Sequence, residues 1–209
     1  MNGVSSARRE GADRSGCQSK VAPVAVLLSV ISFALLCSAA CAGEQDVDPG
    51  TGYRVSNYRA PVPQTVPGGT VISLDDFERM ELADKPVVID VMAAEGAGAD
   101  PATGVWHLAK PHRNKAGSIW LADVGRGVLT PRMAAYFREN LAKFTGGDKA
   151  RPIIIYCQAD CWMSWNAVKR AASYGYTALF WYPDGTDGMR DWDVQLVEAI
   201  PVAMPPQTR

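Results

Sequence analysis

Cys157 and Cys161 are the two residues whose type and spacing promise chemistry. They lie in Ile153-Ile154-Ile155-Tyr156-Cys157-Gln158-Ala159-Asp160-Cys161-Trp162, an apolar run that delivers one thiol to its end and a second four residues later. Ser164 to Ala172 then reads as a helix, because Trp165, Val168 and Ala172 recur at roughly 3.6-residue spacing. Free N–H groups and the dipole at a helix amino end favour negative charge, and they lower a thiol's pKa from about 8.5. The pattern therefore predicts a thiolate nucleophile. A local structural disulfide is the competing reading, but closing so short a loop constrains the unfolded chain little.

The address of the chain bears on that choice. Residues 1–42 have the three parts of a secretory signal peptide: Arg8, Arg9, Arg14 and Lys20, then the apolar run Val24 to Cys37, then Ala40-Cys41-Ala42 as a cleavage site. Export to the periplasm is the expectation. Ser38-Ala39-Ala40-Cys41 also approximates a lipid-attachment box, which would leave a lipoprotein anchored at Cys41. Removal of the leader takes Cys17, Cys37 and Cys41 with it, so that Cys157 and Cys161 remain alone in an oxidising compartment. About 167 residues are left, enough for one domain with a core.

The whole chain carries net charge −1. The leader holds four basic and two acidic groups, so the remainder is near −3. With no Lys/Arg stripe, nucleic acid and anionic membrane surfaces are poor partners.

The elements that must position the cysteines alternate strand and helix. Residues 43–69, rich in Pro and Gly, read as an extended arm in which Tyr53, Val55 and Tyr58 can pack on the domain. A short strand at Thr70-Val71-Ile72 precedes a helix capped by Ser73 and running from Leu74 to about Leu82. Pro86 to Val91 reads as a central parallel strand, and Met92 to Asn114 as a long loop holding both histidines. A strand over Ala116–Leu121 is followed by a helix that Thr130 caps and Pro131 starts, ending at Gly146. Beyond the cysteine turn come a strand over Thr177–Tyr182, a loop over Pro183–Gly188 and a closing helix from Met189 to Ala199, before a tail over 201–209. The fold class is α/β, a central and mainly parallel sheet flanked by helices. Ligands of such sheets bind beyond the carboxyl ends of the strands, where the cysteine turn, the 183–188 loop and the 92–114 loop all lie.

In this order of elements, residues 70–200 resemble a single rhodanese domain. The matching pieces are Val87-Val88-Ile89-Asp90-Val91, His112-Arg113-Asn114-Lys115-Ala116-Gly117-Ser118-Ile119, Ile154-Ile155-Tyr156-Cys157 and Gly185…Gly188…Trp192. Within that superfamily, Cys157-Gln158-Ala159-Asp160-Cys161-Trp162 is similar to the exported family named for PQQ-dependent catabolism and a CXXCW motif, although three residues separate the cysteines here.

The resemblance implies that Cys157 is a nucleophile that carries a sulfane sulfur as a persulfide. It also implies that Gln158, Ala159, Asp160, Trp162 and Met163 bind the substrate through their backbone N–H groups. Trp162 stands where a typical rhodanese loop has arginine, and Met92 where a basic residue often follows the Asp-Val strand end. Both replacements argue against efficient transfer from thiosulfate, since fixed positive charge normally holds an anionic donor.

Three functions follow as expectations. One is sulfurtransferase-type chemistry, in which Cys161 attacks a Cys157 persulfide, releases sulfide and closes a disulfide. Another is dithiol–disulfide exchange on the same scaffold. The last is a non-catalytic accessory role beside a PQQ-dependent alcohol dehydrogenase or its cytochrome c. No cofactor and no metal are expected: a zinc or copper site of His107 and His112 with the cysteines lacks ligand spacing. Trp162, Trp165, Trp181 and Trp192 are read as packing residues rather than the lining of a quinone recess.

Overall fold

The computed structural model describes residues 46–207. The leader and Cys41 lie outside them. In chain order the elements are β1 (Thr70–Val71), α1 (Leu74–Ala83), β2 (Val87–Asp90), β3 (Gly96–Ala99), β4 (Trp106–Leu108), β5 (His112–Lys115) and β6 (Ile119–Trp120). They continue with α2 (Pro131–Thr145), β7 (Ile153–Tyr156), α3 (Trp162–Ser173), β8 (Leu179–Tyr182), α4 (Gly185–Asp191) and β9 (Leu196–Ala199).

Five strands form one sheet in the order β1-β8-β7-β2-β6, and every neighbouring pair is parallel. The expected α/β class with a central parallel sheet is therefore what the chain adopts. β2 and β7 lie at its centre, buried at all four positions, which explains their unbroken apolar runs. Alternation along β7 divides the core in two. Ile153 and Ile155 face α2 and α3, packing with Phe137, Leu141, Ala167, Val168 and Ala171. Ile154 and Tyr156 face α1, α4 and β9, packing with Phe77, Met189 and Leu196.

The helices end where their chemistry dictates. Ser73 and Asp76 form a reciprocal capping box at α1. Thr130 accepts from the Met133 N–H at α2, Pro131 starts that helix, and Gly146 closes it in the left-handed conformation.

Two expectations are corrected. The stretch 92–114 is no plain loop: β3 pairs with β4 in an antiparallel ribbon, and β5 begins at His112. Its Gly-Ala-Gly-Ala and His-Arg-Asn-Lys strands carry no apolar alternation, because their pairing rests on backbone groups rather than on a buried face. The closing helix is also misplaced. α4 occupies Gly185–Asp191 and is followed by β9, which pairs antiparallel with β5 from Ala199↔His112 to Leu196↔Lys115. Asp193, at φ 56, turns the chain out of the helix in between.

Both ends of the domain are docked. The arm runs along α3: Asn166 receives the Arg54 N–H (3.1 Å) and donates to the Arg54 carbonyl (2.8 Å). Trp165 donates to the Thr65 carbonyl and Lys169 to Thr51 and Gly52. Contact is close enough that a Cβ on Gly68 would meet the Ala172 methyl at 2.4 Å. At the other end, the Val202 N–H binds the Trp120 carbonyl and Met204 is buried. Among the described residues, no helix is long and apolar enough to cross a membrane.

Candidate functional site

β7 ends at Tyr156, and Cys157 follows at the carboxyl edge of the sheet, beside the ends of β2 and β8. Asp160 adopts φ 52, a left-handed conformation that Asp tolerates better than most residues. That single residue curls the chain back, so that Cys161 becomes the N-cap of α3. The sequence placed the helix start at Ser164. The helix in fact begins at Trp162, which puts the second thiol, and not only the first, at the helix amino end.

Both cysteines are free thiols and both are buried, at 0% and 3% exposure. Their electrostatics differ. Burial pushes the Cys157 thiol well up, and proximity to Cys161 and to the Asp90 carboxylate adds to that. Cys161 is pulled down, first by the hydrogen bond from Cys157, then by the N–H groups of Met163, Gln158 and Ser164, against the opposing cost of burial.

The other residues inferred from the resemblance are divided in what they do. The N–H groups of Gln158 and Met163 face the sulfurs. Those of Ala159 and Trp162 are already engaged, donating to the Asp187 carboxylate (3.3 Å) and the Tyr58 carbonyl (2.8 Å). Asp160 is exposed, and its carbonyl accepts from the Ala60 N–H. The Trp162 indole donates to the Pro61 carbonyl, with the Arg54 guanidinium 5.0 Å from its ring centre. Trp165 lies 5.3 Å from Trp162 with the rings tilted at 58°, Trp181 is a core residue bonded to Ser164, and Trp192 is exposed. Trp162 and Trp165 thus bind the arm and Trp181 fills the core.

Several site residues were not legible in the sequence. Arg59 comes from the arm, makes an antiparallel bridge to Cys161, and reaches the Gln158 amide oxygen (2.8 Å) and the Asp187 carboxylate (3.1 Å). A cation therefore does stand at the loop, supplied from a segment about a hundred residues away instead of from the loop itself. Ser164 holds the Cys161 carbonyl with its hydroxyl (3.0 Å). Gly185, at φ 52, lies so near the Cys157 carbonyl that a Cβ would meet it at 2.5 Å, and Thr186 donates its N–H to the same oxygen (3.0 Å). Met92, which the sequence marks only as a missing basic residue, accepts a hydrogen bond from the Cys157 thiol at 3.5 Å between the sulfurs.

The histidines do not join the thiols. His112 is bonded to the buried Asp90 carboxylate at 2.5 Å, and His107 is exposed on β4. Among the described residues, no group of three or more His, Cys, Asp or Glu side chains could hold a metal ion. A cavity of about 140 Å³ is bounded by Met92, Ala93, Lys110, His112 and Trp120; neither cysteine lines it.

Comparison with known proteins gives structural likenesses alone. No protein-family model matches the chain. No curated protein matches it either. The solution structure of the polysulfide-sulfur transferase homodimer from Wolinella succinogenes matches with TM-score 0.41 and 14% identity, over 62% of this chain and 79% of that one. A variant of EanB in complex with hercynine matches with TM-score 0.42 and 17% identity, over 74% of this chain and 36% of its own. An EanB persulfide with ergothioneine matches with TM-score 0.39 and 15% identity, again spanning 36% of the EanB chain.

Proposed function

We propose that this chain is an exported rhodanese-like protein of sulfurtransferase type, which carries sulfane sulfur on Cys157 in the service of PQQ-dependent alcohol catabolism. The observation that carries the chemistry is the buried dithiol at the carboxyl edge of the sheet, in which Cys157 lowers the pKa of Cys161 and the N–H groups of Met163, Gln158 and Ser164 lower it further. The pathway and the export rest on the sequence resemblance and the leader.

In this reading the Cys157 sulfur, once deprotonated, attacks the terminal sulfur of a small persulfide or polysulfide. A Cys157–S–S bond forms, the donor's S–S bond breaks, and the donor leaves as a thiolate. The charge left on the outer sulfur is met by the Cys161 thiol and the N–H of Gln158. Discharge follows when an acceptor thiolate takes the outer sulfur. Alternatively Cys161, once deprotonated, attacks the inner sulfur, closes a disulfide and expels hydrosulfide. A thiol reductant of the compartment then reopens the pair.

Intact-mass spectrometry tests this directly. Reduced protein treated with an organic persulfide gains the mass of one sulfur, Cys157→Ser gains none, and Cys161→Ser accumulates the adduct. Parent protein that gains no sulfur but cycles between dithiol and disulfide would replace sulfur transfer with thiol exchange. Inertness in both assays would leave the accessory role beside a PQQ-dependent dehydrogenase or its cytochrome c, for which recovery of a quinoprotein in a periplasmic pull-down is the positive result.

A further inference from the structure

Three sulfur atoms, not two, meet at the ends of β2 and β7. Met92 leaves β2 two residues after Asp90, which receives the Met92 N–H at 2.9 Å, while Trp120 donates to the Met92 carbonyl at 2.7 Å. These bonds fix its backbone, and its thioether sulfur lies 3.5 Å from the Cys157 sulfur. Cys161 adjoins Cys157 closely enough that each thiol shifts the acidity of the other. We propose that Met92, Cys157 and Cys161 form a binding site for a single cuprous ion, Cu(I).

The donor set selects the metal. Thiolate and thioether are soft ligands that suit Cu(I), whereas structural zinc takes four donors from Cys, His and carboxylates. The imidazole that could complete a zinc site, His112, is committed to Asp90. The geometry is close to what a shared metal needs. An ion about 2.3 Å from each of two sulfurs holds them roughly 3.8–4 Å apart, so the Cys157–Met92 pair has only to open by a few tenths of an ångström. Burial of both thiols excludes water and harder ligands.

Charge is also provided for. Two thiolates and one Cu(I) make a site of net charge −1, lying at the amino end of the twelve-residue α3, where Met163 and Ser164 direct N–H groups at Cys161. Binding replaces the remaining thiol protons with two Cu–thiolate bonds and one Cu–thioether bond, and no oxidation state changes. Of the three ligands, Met92 borders a cavity that His112 and Trp120 also line. This inference uses the same cysteines as the sulfur-transfer reading but does not depend on it.

The test titrates the reduced full chain, without oxygen, with Cu(I) buffered by bicinchoninate. One equivalent leaves the chelator, and X-ray absorption finds three sulfur neighbours and no nitrogen. Met92→Leu, which keeps the side-chain volume, weakens binding by at least about tenfold and leaves two sulfurs around the ion. Failure to withdraw copper, an affinity unchanged in Met92→Leu, or preferential uptake of Zn(II) overturns the proposal. A metal-free protein that accepts sulfane sulfur yet takes no copper refutes this inference alone. Copper uptake without persulfide formation refutes only the sulfur-transfer reading.

Discussion

The four-residue separation of Cys157 and Cys161 is read by a single dihedral. With Asp160 at φ 52 the loop turns back on itself, and the second cysteine caps α3 instead of trailing into solvent. The consequence is a division of labour that two cysteines in a row of letters do not show: burial raises one thiol, and the bond from that thiol lowers the other. Cys157→Ala removes the largest cause of acidity at Cys161. The thiolate ultraviolet absorbance of that variant should titrate at higher pH than the Cys161 signal of the parent. Since a depressed pKa means that the thiolate persists below the ordinary thiol range, the parent's signal should survive acidification that extinguishes it in the variant. An unchanged titration would mean that the backbone N–H groups alone set the acidity. Gly185→Ala acts on the other side of the same turn. A Cβ there is strained by its positive φ and collides with the Cys157 carbonyl, so we expect a loss of about 1–3 kcal/mol in urea unfolding together with faster alkylation of the cysteines.

The elements were legible where a buried face imposes a period. Val87–Asp90 and Ile153–Tyr156 are apolar without interruption because helices cover both sides of the sheet, and the signals at Ser73, Thr130 and Pro131 mark helices that begin where expected. Legibility failed where pairing is made by the backbone alone. His112–Lys115 and Gly96–Ala99 have no apolar pattern, and their partners are chosen by tertiary placement. The role of α3 was hidden for a different reason. Its Asn166 looks like an ordinary polar helix residue, yet it is buried and holds the backbone of Arg54, 112 positions earlier, and the Gly125 carbonyl at 2.9 Å. Asn166→Ala leaves more than one buried backbone group unpaired, at about 1–3 kcal/mol each, so we expect about 2–4 kcal/mol of destabilisation by chemical denaturation. Proteolysis should cut the arm first. A variant with both properties of the parent would show that water replaces the amide without cost.

Over the whole molecule, the arm and the cysteine turn make one unit. Arg59 joins them at Gln158 and Asp187, but its side chain is 61% exposed, so these bonds contribute less than about 1 kcal/mol to global stability. Their effect is local. Arg59→Ala should leave the unfolding midpoint nearly unchanged and raise the rate at which a neutral thiol reagent labels Cys161. If labelling does not change, the arm opens without passing through this contact. Thiosulfate, which is anionic, should lose more from this substitution than a neutral organic persulfide. The arm also bears on assembly of the fold. Its bonds to Gln158, Trp162, Trp165 and Asn166 span 99 to 112 positions of sequence, contacts that raise the contact order and carry a large loop-closure cost. The arm must therefore be the last piece to settle, since α3 has to exist before residues 54–65 have anything to grip. Until then the two sulfurs face whatever redox agents surround the nascent chain, and the oxidation state in which the folded protein begins its work is set before the arm closes over it.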